Sequence, residues 1–206
     1  MLSHIRGGRC LVGMTTTSTF RIPRAPITGL YGAVLTRFAR RTVGEVPDGA
    51  YVYFHHKPVL KAVYGFEGKV AKWKELDAHL KSYAQLAAAG VIVCSWCLDF
   101  GYFMAHGEGL DLAKVSEVPR WRESEVFTPL ERDVLEYAEA MTVTPPTVTD
   151  EMVAHLVEEL GSPAVVELTQ MVALENMRSR FNSAAGLSSQ GYSEVCELPL
   201  AVPSRA

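Results

Sequence analysis

Apolar side chains recur along much of this chain at intervals of three and four, the period of a helix with one buried face. Leu30, Val34, Leu35 and Phe38 share a face and predict a first helix over 30–42. The stretch 44–56 holds Pro47, Asp48-Gly49 and several aromatics, and reads as a loop. Pro58 suits the first turn of a second helix carrying Val59, Leu60, Val63, Tyr64 and Phe66, locally weakened by Gly65 and Gly68. Leu76, Leu80, Tyr83, Leu86 and Ala87 give the strongest period of the first half, over 76–89, interrupted at Gly90. The next helix begins near Cys94 and reaches Gly107; a short one covers 112–118, before Pro119-Arg120-Trp121 breaks the chain.

The second half is more regular. Thr128-Pro129-Leu130-Glu131 has a threonine cap, proline at the first helical position and glutamate three residues after the cap. That helix runs to Met141 and is stopped by Thr144-Pro145-Pro146-Thr147. Another starts at Thr149-Asp150-Glu151-Met152 and closes at Gly161. Ser162-Pro163 opens the last long helix, through Arg180 to Ala185, with Gly186 as its stop. No alternation of β-branched residues is long enough for a sheet, so the fold class is all-α, a single domain of antiparallel packed helices. The expected organisation is a flexible N-terminal tail over 1–28, a helical domain over 29–186 and an irregular C-terminal tail over 187–206.

Composition narrows the function classes. The chain has 206 residues, 48% hydrophobic and 21% charged, enough apolar material for a substantial core. A net charge of −3 recommends neither nucleic acid nor an anionic membrane, and Arg37, Arg40 and Arg41 amount to one turn of one helix. No apolar run approaches the roughly 20 residues that span a bilayer. The stretch 1–13 is too short in its apolar part for a secretory signal, and Met14 reads as a second candidate start. A cytoplasmic location is expected, where a close cysteine pair is more often catalytic, redox-active or metal-binding than structural.

The pair is Cys94 and Cys97, inside Val93-Cys94-Ser95-Trp96-Cys97-Leu98-Asp99-Phe100-Gly101. Residues three apart share a helix face, and at a helix N-terminus unpaired N–H groups and the dipole favour thiolate. Redox chemistry and two inert buried hydrophobes are both open on residue types alone. Neither a metal nor a cofactor is expected, since no second Cys-x-x-Cys or histidine pair completes four ligands. Cys10 and Cys196 fall in the tails and read as bystanders. Among the histidines, His55-His56 reads as loop surface, and His79 and His155 as solvated helix positions. His106 lies about 180° round the helix from Cys97.

The order of these pieces is recognisable. Cys94-Ser95-Trp96-Cys97-Leu98-Asp99-Phe100, Gly109-Leu110, Phe127-Thr128-Pro129-Leu130-Glu131-Arg132, Leu135-x-Tyr137-Ala138-Glu139-Ala140 and Glu175-Asn176-x-Arg178-x-Arg180-Phe181-Asn182 follow one another. Together they resemble the carboxymuconolactone decarboxylase family, within the alkylhydroperoxidase D-like superfamily, over roughly 29–186. The resemblance implies an all-helical fold and a homo-oligomer, a trimer or hexamer. It implies one of two chemistries. One is peroxide reduction by the dithiol pair, recharged by a lipoyl or thioredoxin-like donor, with Cys97 attacking peroxide and Cys94 resolving the sulfenic acid. The other is decarboxylation of a lactone acid without the pair.

The chain departs from the peroxidase branch at two places. A glutamate about twelve residues before the first cysteine and a histidine four after the second relay protons there; here those positions hold Ser82 and Gly101. Asp99 sits about 200° from Cys97 on an ideal helix, and as an anion would raise a neighbouring thiol's pKa. The helix dipole is then the sole activation the sequence offers. Arg178 and Arg180 could hold a substrate anion or pair with Glu175 and other helix neighbours. Asn176 and Asn182 read as buried packing groups. Three functions follow: thiol-dependent antioxidant chemistry through Cys94 and Cys97 in the lead; a lyase or other small-molecule enzyme that ignores the thiols; and a non-enzymatic oligomeric binding protein. Trp96 reads as core packing, with stacking on substrate as its alternative.

Overall fold

The computed structural model of the chain describes residues 17–196 and 198–202. It is all-α, with no strand among the described residues. Among the described residues nine α-helices follow in order: α1 (Gly29–Val43), α2 (Asp48–Tyr53), α3 (Lys57–Val70), α4 (Ala78–Ile92), α5 (Ser95–Gly107), α6 (Leu112–Val115), α7 (Pro129–Thr142), α8 (Asp150–Leu160) and α9 (Ser162–Ala185). Tight 3-10 turns cover Val118–Glu123 and Tyr192–Val195. Cys10, Met14 and the two ends of the expected tails lie outside the described residues.

The core forms around α4, against which α5, α7 and α9 pack. Leu80, Tyr83, Ala84, Leu86, Ala87, Ala88 and Ala89 are all buried, so this helix is apolar on most of its circumference. Its small residues let neighbouring helices approach closely. α7 starts as the sequence predicts: Thr128 Oγ1 accepts from the Glu131 amide at 3.3 Å, and Glu131 Oε2 accepts from the Thr128 amide at 2.7 Å. Glu131 also pairs with Lys114 at 2.8 Å, tying α7 to α6.

Two local expectations are corrected. Gly90 does not interrupt α4, which runs on to Ile92; an isolated glycine there costs about 1 kcal/mol against alanine, and packing outweighs it. The turn comes at Val93, which takes the left-handed conformation (φ 59°) so that the Cys94 amide reaches Ala89 O at 3.0 Å. The 44–56 stretch contains α2, a helix too short to show a period, whose Val52 packs with Ala185 and Leu187.

Residues 17–28, expected as loose tail, form no helix before Gly29 but are tied down. The Thr19 and Arg21 amides donate to Gly186 O and Ala185 O at 2.8 and 2.9 Å, and the Ala25 amide to Tyr51 O at 3.1 Å. Gly186 is required there: at φ 72° a Cβ would stand 2.4 Å from Thr19 Oγ1. Residues 187–196, expected to be irregular, fold back onto α5 and include the 3-10 turn. The reason is Asp99, a buried carboxylate on α5. It accepts from the Gln190, Gly191 and Tyr192 amides at 3.0, 2.8 and 3.1 Å, and from the Ser193 amide and hydroxyl at 2.7 and 2.6 Å.

Candidate functional site

The site is built at the start of α5. Cys94 is the N-cap residue, and its Sγ accepts from the Cys97 amide at 3.3 Å. Cys97 lies in the first turn, where helix amides have no intrahelical acceptor and partial positive charge collects. The two Cα atoms are 5.3 Å apart and the sulfurs stand at bonding distance, as a disulfide. Both residues are buried, at 3% and 7% exposure. Trp96 between them stacks on Phe100 with ring centroids 4.8 Å apart, and donates from Nε1 to Gln190 Oε1 at 3.0 Å. It therefore packs against the returning C-terminal segment.

The second half of the site comes from α9. Glu175, Ser179 and Asn182 follow at i, i+4 and i+7 and so share one face of that helix, from which Ser179 and Asn182 reach α5. Ser179 Oγ lies 3.2 Å from Cys97 Sγ and 2.7 Å from Glu175 Oε1. Asn182 Nδ2 lies 3.3 Å from the same sulfur. All three polar side chains are buried. A serine hydroxyl has one proton to donate and lone pairs to accept with, so Ser179 can serve sulfur or carboxylate, one at a time.

Charge around this line is managed by Arg178. It grips Glu67 of α3 with two nitrogens, Nε to Oε1 at 2.8 Å and Nη2 to Oε2. Its Nη1 donates to Gln85 Oε1 of α4 at 2.7 Å and to Glu175 Oε2 at 3.3 Å. Burial pushes the Glu175 carboxyl up, opposed by Arg178 and the Ser179 hydrogen bond. Burial works against the charge of Arg178 as well, but the bonds to Glu67 and the nearby Glu175 raise it further above its ordinary value. Arg178 is thus an internal clamp, fully engaged by protein partners. Arg180 donates to Thr142 O at 3.2 Å, while Asn176 bonds Thr142 Oγ1 at 2.9 Å, fastening α9 to α7.

The remaining candidates stand apart from the sulfurs. His106 is exposed in the last turn of α5. His56, expected as mere loop surface, caps α3 by accepting from the Val59 amide at 3.2 Å. His55 contacts Pro23 O at 2.6 Å, and His155 pairs with Asp133 at 3.1 Å. Ser82 is half-buried on α4. Gly101 faces Leu86, whose Cδ2 would lie 3.1 Å from any Cβ placed there. Cys196 is a half-buried free thiol pushed up by burial and by the nearby Asp99. Among the described residues, no three His, Cys, Asp or Glu side chains are grouped to hold a metal ion. No helix among them is long and apolar enough to cross a membrane. Sequence reasoning missed Ser179, Gln85 and Glu67. The one available signal was three polar residues at helical spacing in an otherwise apolar face of α9.

The Carboxymuconolactone decarboxylase family pattern matches residues 57–140. The uncharacterized protein YnjA of Escherichia coli (strain K12) is 35% identical over 128 residues, 62% of this chain and 69% of that one. The chain belongs to the carboxymuconolactone decarboxylase family. Two solved structures share the fold. One is a cysteine-to-alanine variant of the debrominase Bmp8 in complex with 2,3,4-tribromopyrrole (TM-score 0.74, 16% identity, covering 86% of this chain and 96% of that one). The other is the alkylhydroperoxidase AhpD core of a peroxidase-related protein from Ralstonia eutropha JMP134 (TM-score 0.72, 14% identity, 85% and 97%).

Proposed function

We propose that the protein is a thiol-dependent oxidoreductase that reduces peroxides, or exchanges dithiol for disulfide, through Cys94 and Cys97. The observation that carries this reading is the convergence of Ser179 and Asn182 on Cys97 Sγ, at 3.2 and 3.3 Å, beside a resolving partner already at bonding distance. Two donors and a helix N-terminus stabilise a thiolate at Cys97. That thiolate attacks the peroxide oxygen; the O–O bond breaks, and the alkoxide or hydroxide leaves with a proton. Cys94 then attacks the sulfenic sulfur, releasing water and forming the disulfide. A dithiol donor of the lipoyl or thioredoxin class returns both thiols and leaves oxidised itself.

The test is timed titration of thiols in the reduced native protein before and after one equivalent of peroxide. Rapid loss of two thiols, absent in Cys94→Ser and Cys97→Ser and reversed by a dithiol, is the expected result. Thiols that survive peroxide, or that react equally in the single-serine variants, would overturn it.

The burial of both cysteines favours a second reading, in which the pair is structural and the scaffold acts on a small molecule without it. Native thiols that react only after denaturation would select that reading. The tribromopyrrole bound to a structural neighbour belongs in the accompanying substrate panel.

The proposal includes self-association. Leu30, Val34 and Phe38 line one row of α1 and are 84%, 59% and 68% exposed, an apolar stripe suited to a second copy of the chain. Light scattering on the native protein and on Val34→Asp should report a homo-oligomer and its dissociation. A monomer in both would remove this part.

A further inference from the structure

The geometry points to a proton line, Cys97–Ser179–Glu175, in which the buried Glu175 carboxylate takes the Cys97 thiol proton through the Ser179 hydroxyl and later returns it to the leaving group. This inference rests on the thiol reading above and supplies what Ser82 and Gly101 lack.

The argument begins with the hydroxyl. Ser179 Oγ has two neighbours, Cys97 Sγ at 3.2 Å and Glu175 Oε1 at 2.7 Å, and is itself fully buried. With the sulfurs joined, sulfur needs no proton and the hydroxyl donates to the carboxylate. On reduction Cys97 carries a proton. The thiol gives it to Ser179 Oγ as Ser179 passes its own to Glu175 Oε1, leaving a thiolate, an intact serine and a carboxylic acid. Total charge does not change, which suits a buried site, where creating a net charge is expensive. The thiolate then accepts hydrogen bonds from Ser179 and from Asn182 Nδ2. When the peroxide bond breaks, the same line run backwards protonates the departing alkoxide once it occupies the place by Ser179.

The surroundings suit a carboxyl that changes protonation. The groups facing Glu175 are Arg178 and Ser179 on its own helix, Glu67 on α3 and Gln85 on α4 (these two mainly through Arg178), with Cys97 beyond the serine on α5. Arg178 already carries a close counter-ion in Glu67, so protonating Glu175 strands no unpaired buried cation. Burial raises the carboxyl, moving it towards the range in which it can both take and return a proton near neutral pH. Glu175 touches no reacting atom and acts through Ser179 alone.

The test separates this line from the thiol reading itself. Thiolate absorbance near 240 nm is followed against pH in reduced Cys94→Ser protein, taking the difference from Cys94→Ser/Cys97→Ser, so that neither peroxide activity nor reagent access matters. A shared proton predicts a two-step rise, since coupled groups titrate as a pair. Adding Glu175→Gln should collapse it to one step. In the otherwise native chain, Glu175→Gln and Ser179→Ala should each slow peroxide oxidation of Cys97 by about 10²-fold, and together by no more than either alone. A structural role would give additive losses and leave the titration unchanged. A single-step rise near the ordinary thiol value of about 8.5 in Cys94→Ser protein would overturn the line with no further variant needed. A two-step rise without peroxide turnover would keep the line and discard the peroxidase reading; turnover with variants at wild-type rate would do the reverse.

Discussion

Asp99 and Ser193, 94 residues apart in the chain, meet twice: the Ser193 amide and its hydroxyl both donate to Asp99 Oδ1, at 2.7 and 2.6 Å. With the three amides on Oδ2, this makes one side chain on α5 the anchor of the segment that returns over Trp96. Asp99→Ala would leave four backbone amides without their acceptor beside a packed aromatic cluster of Trp96, Phe100, Phe103 and Tyr192. The expected loss is about 3 kcal/mol, since bonds to a charged group contribute about 1.5–3 kcal/mol each and some amides regain water. Urea unfolding measures it, and hydrogen exchange should show the amides of residues 190–193 deprotected first. An unchanged midpoint with protected amides would contradict the anchor.

Glu175 predicts a pH dependence of stability with a definite sign. Its folded pKa is raised by burial, so its contribution to the fold is complete below the ordinary carboxyl value of about 4.5 and is lost as pH rises through the raised one. A glutamine there never ionises; its oxygen can accept from Arg178 while its amide donates to Ser179 Oγ, reversing that one bond. Glu175→Gln in the oxidised protein should therefore match wild type near about pH 4 and melt above it near about pH 8. Melting curves at both pH values decide this; parallel curves would place the buried carboxyl in an ordinary environment.

Val93 turns the chain from α4 into the cysteine helix with φ 59°, a left-handed conformation that a β-branched residue adopts at a cost of about 1–2 kcal/mol. Its side chain is 72% exposed, so little packing is lost on removing it. Val93→Gly relieves that strain and gives back about 0.5–1 kcal/mol in unfolded-chain entropy. A net gain of up to about 1 kcal/mol is expected in urea unfolding, and Val93→Asn should gain by the same route. A loss of more than about 1 kcal/mol in both would mean that the valine side chain makes a contact worth more than the strain.

Gly101 stands at the position where the resemblance to the peroxidase branch leads one to expect a relay histidine, and the space around it leaves little room for one. A Cβ at 101 meets Leu86 Cδ2 at 3.1 Å, and Leu86 is itself 1% exposed in the core. Gly101→His should destabilise by about 1–3 kcal/mol through overpacking, without accelerating thiol oxidation. Denaturation and peroxide-dependent thiol loss, measured on one preparation, check both halves. A stable, faster variant would show that Leu86 yields and that the position remains a working relay site.

The helices of the second half were legible because their signals are local. Thr128 with Glu131, Thr149 and the paired Ser162-Pro163 and Gly186 mark ends by capping chemistry that acts within one turn. The helix α2 was invisible, since six residues complete less than two turns and its stability comes from Val52 against Ala185 and Leu187. Gly90 misled for a related reason: propensity argued for a break, and the packing of α4 between α5, α7 and α9 overrode it.

The sequence by itself determined that this is an all-α chain and that Cys94 and Cys97 stand together at the start of one helix, because periodicity, caps and an i, i+3 spacing are properties of contiguous residues. What stands around those sulfurs was decided by the tertiary structure. Ser179 reaches Cys97 across 82 residues only because α9 packs beside α5, and Arg178 pairs with Glu67 only because α3 meets α9 through Val70 against Met171 and Leu174. Hydrogen bonds and ion pairs of that kind depend on where helices cross, and no local period encodes the crossing.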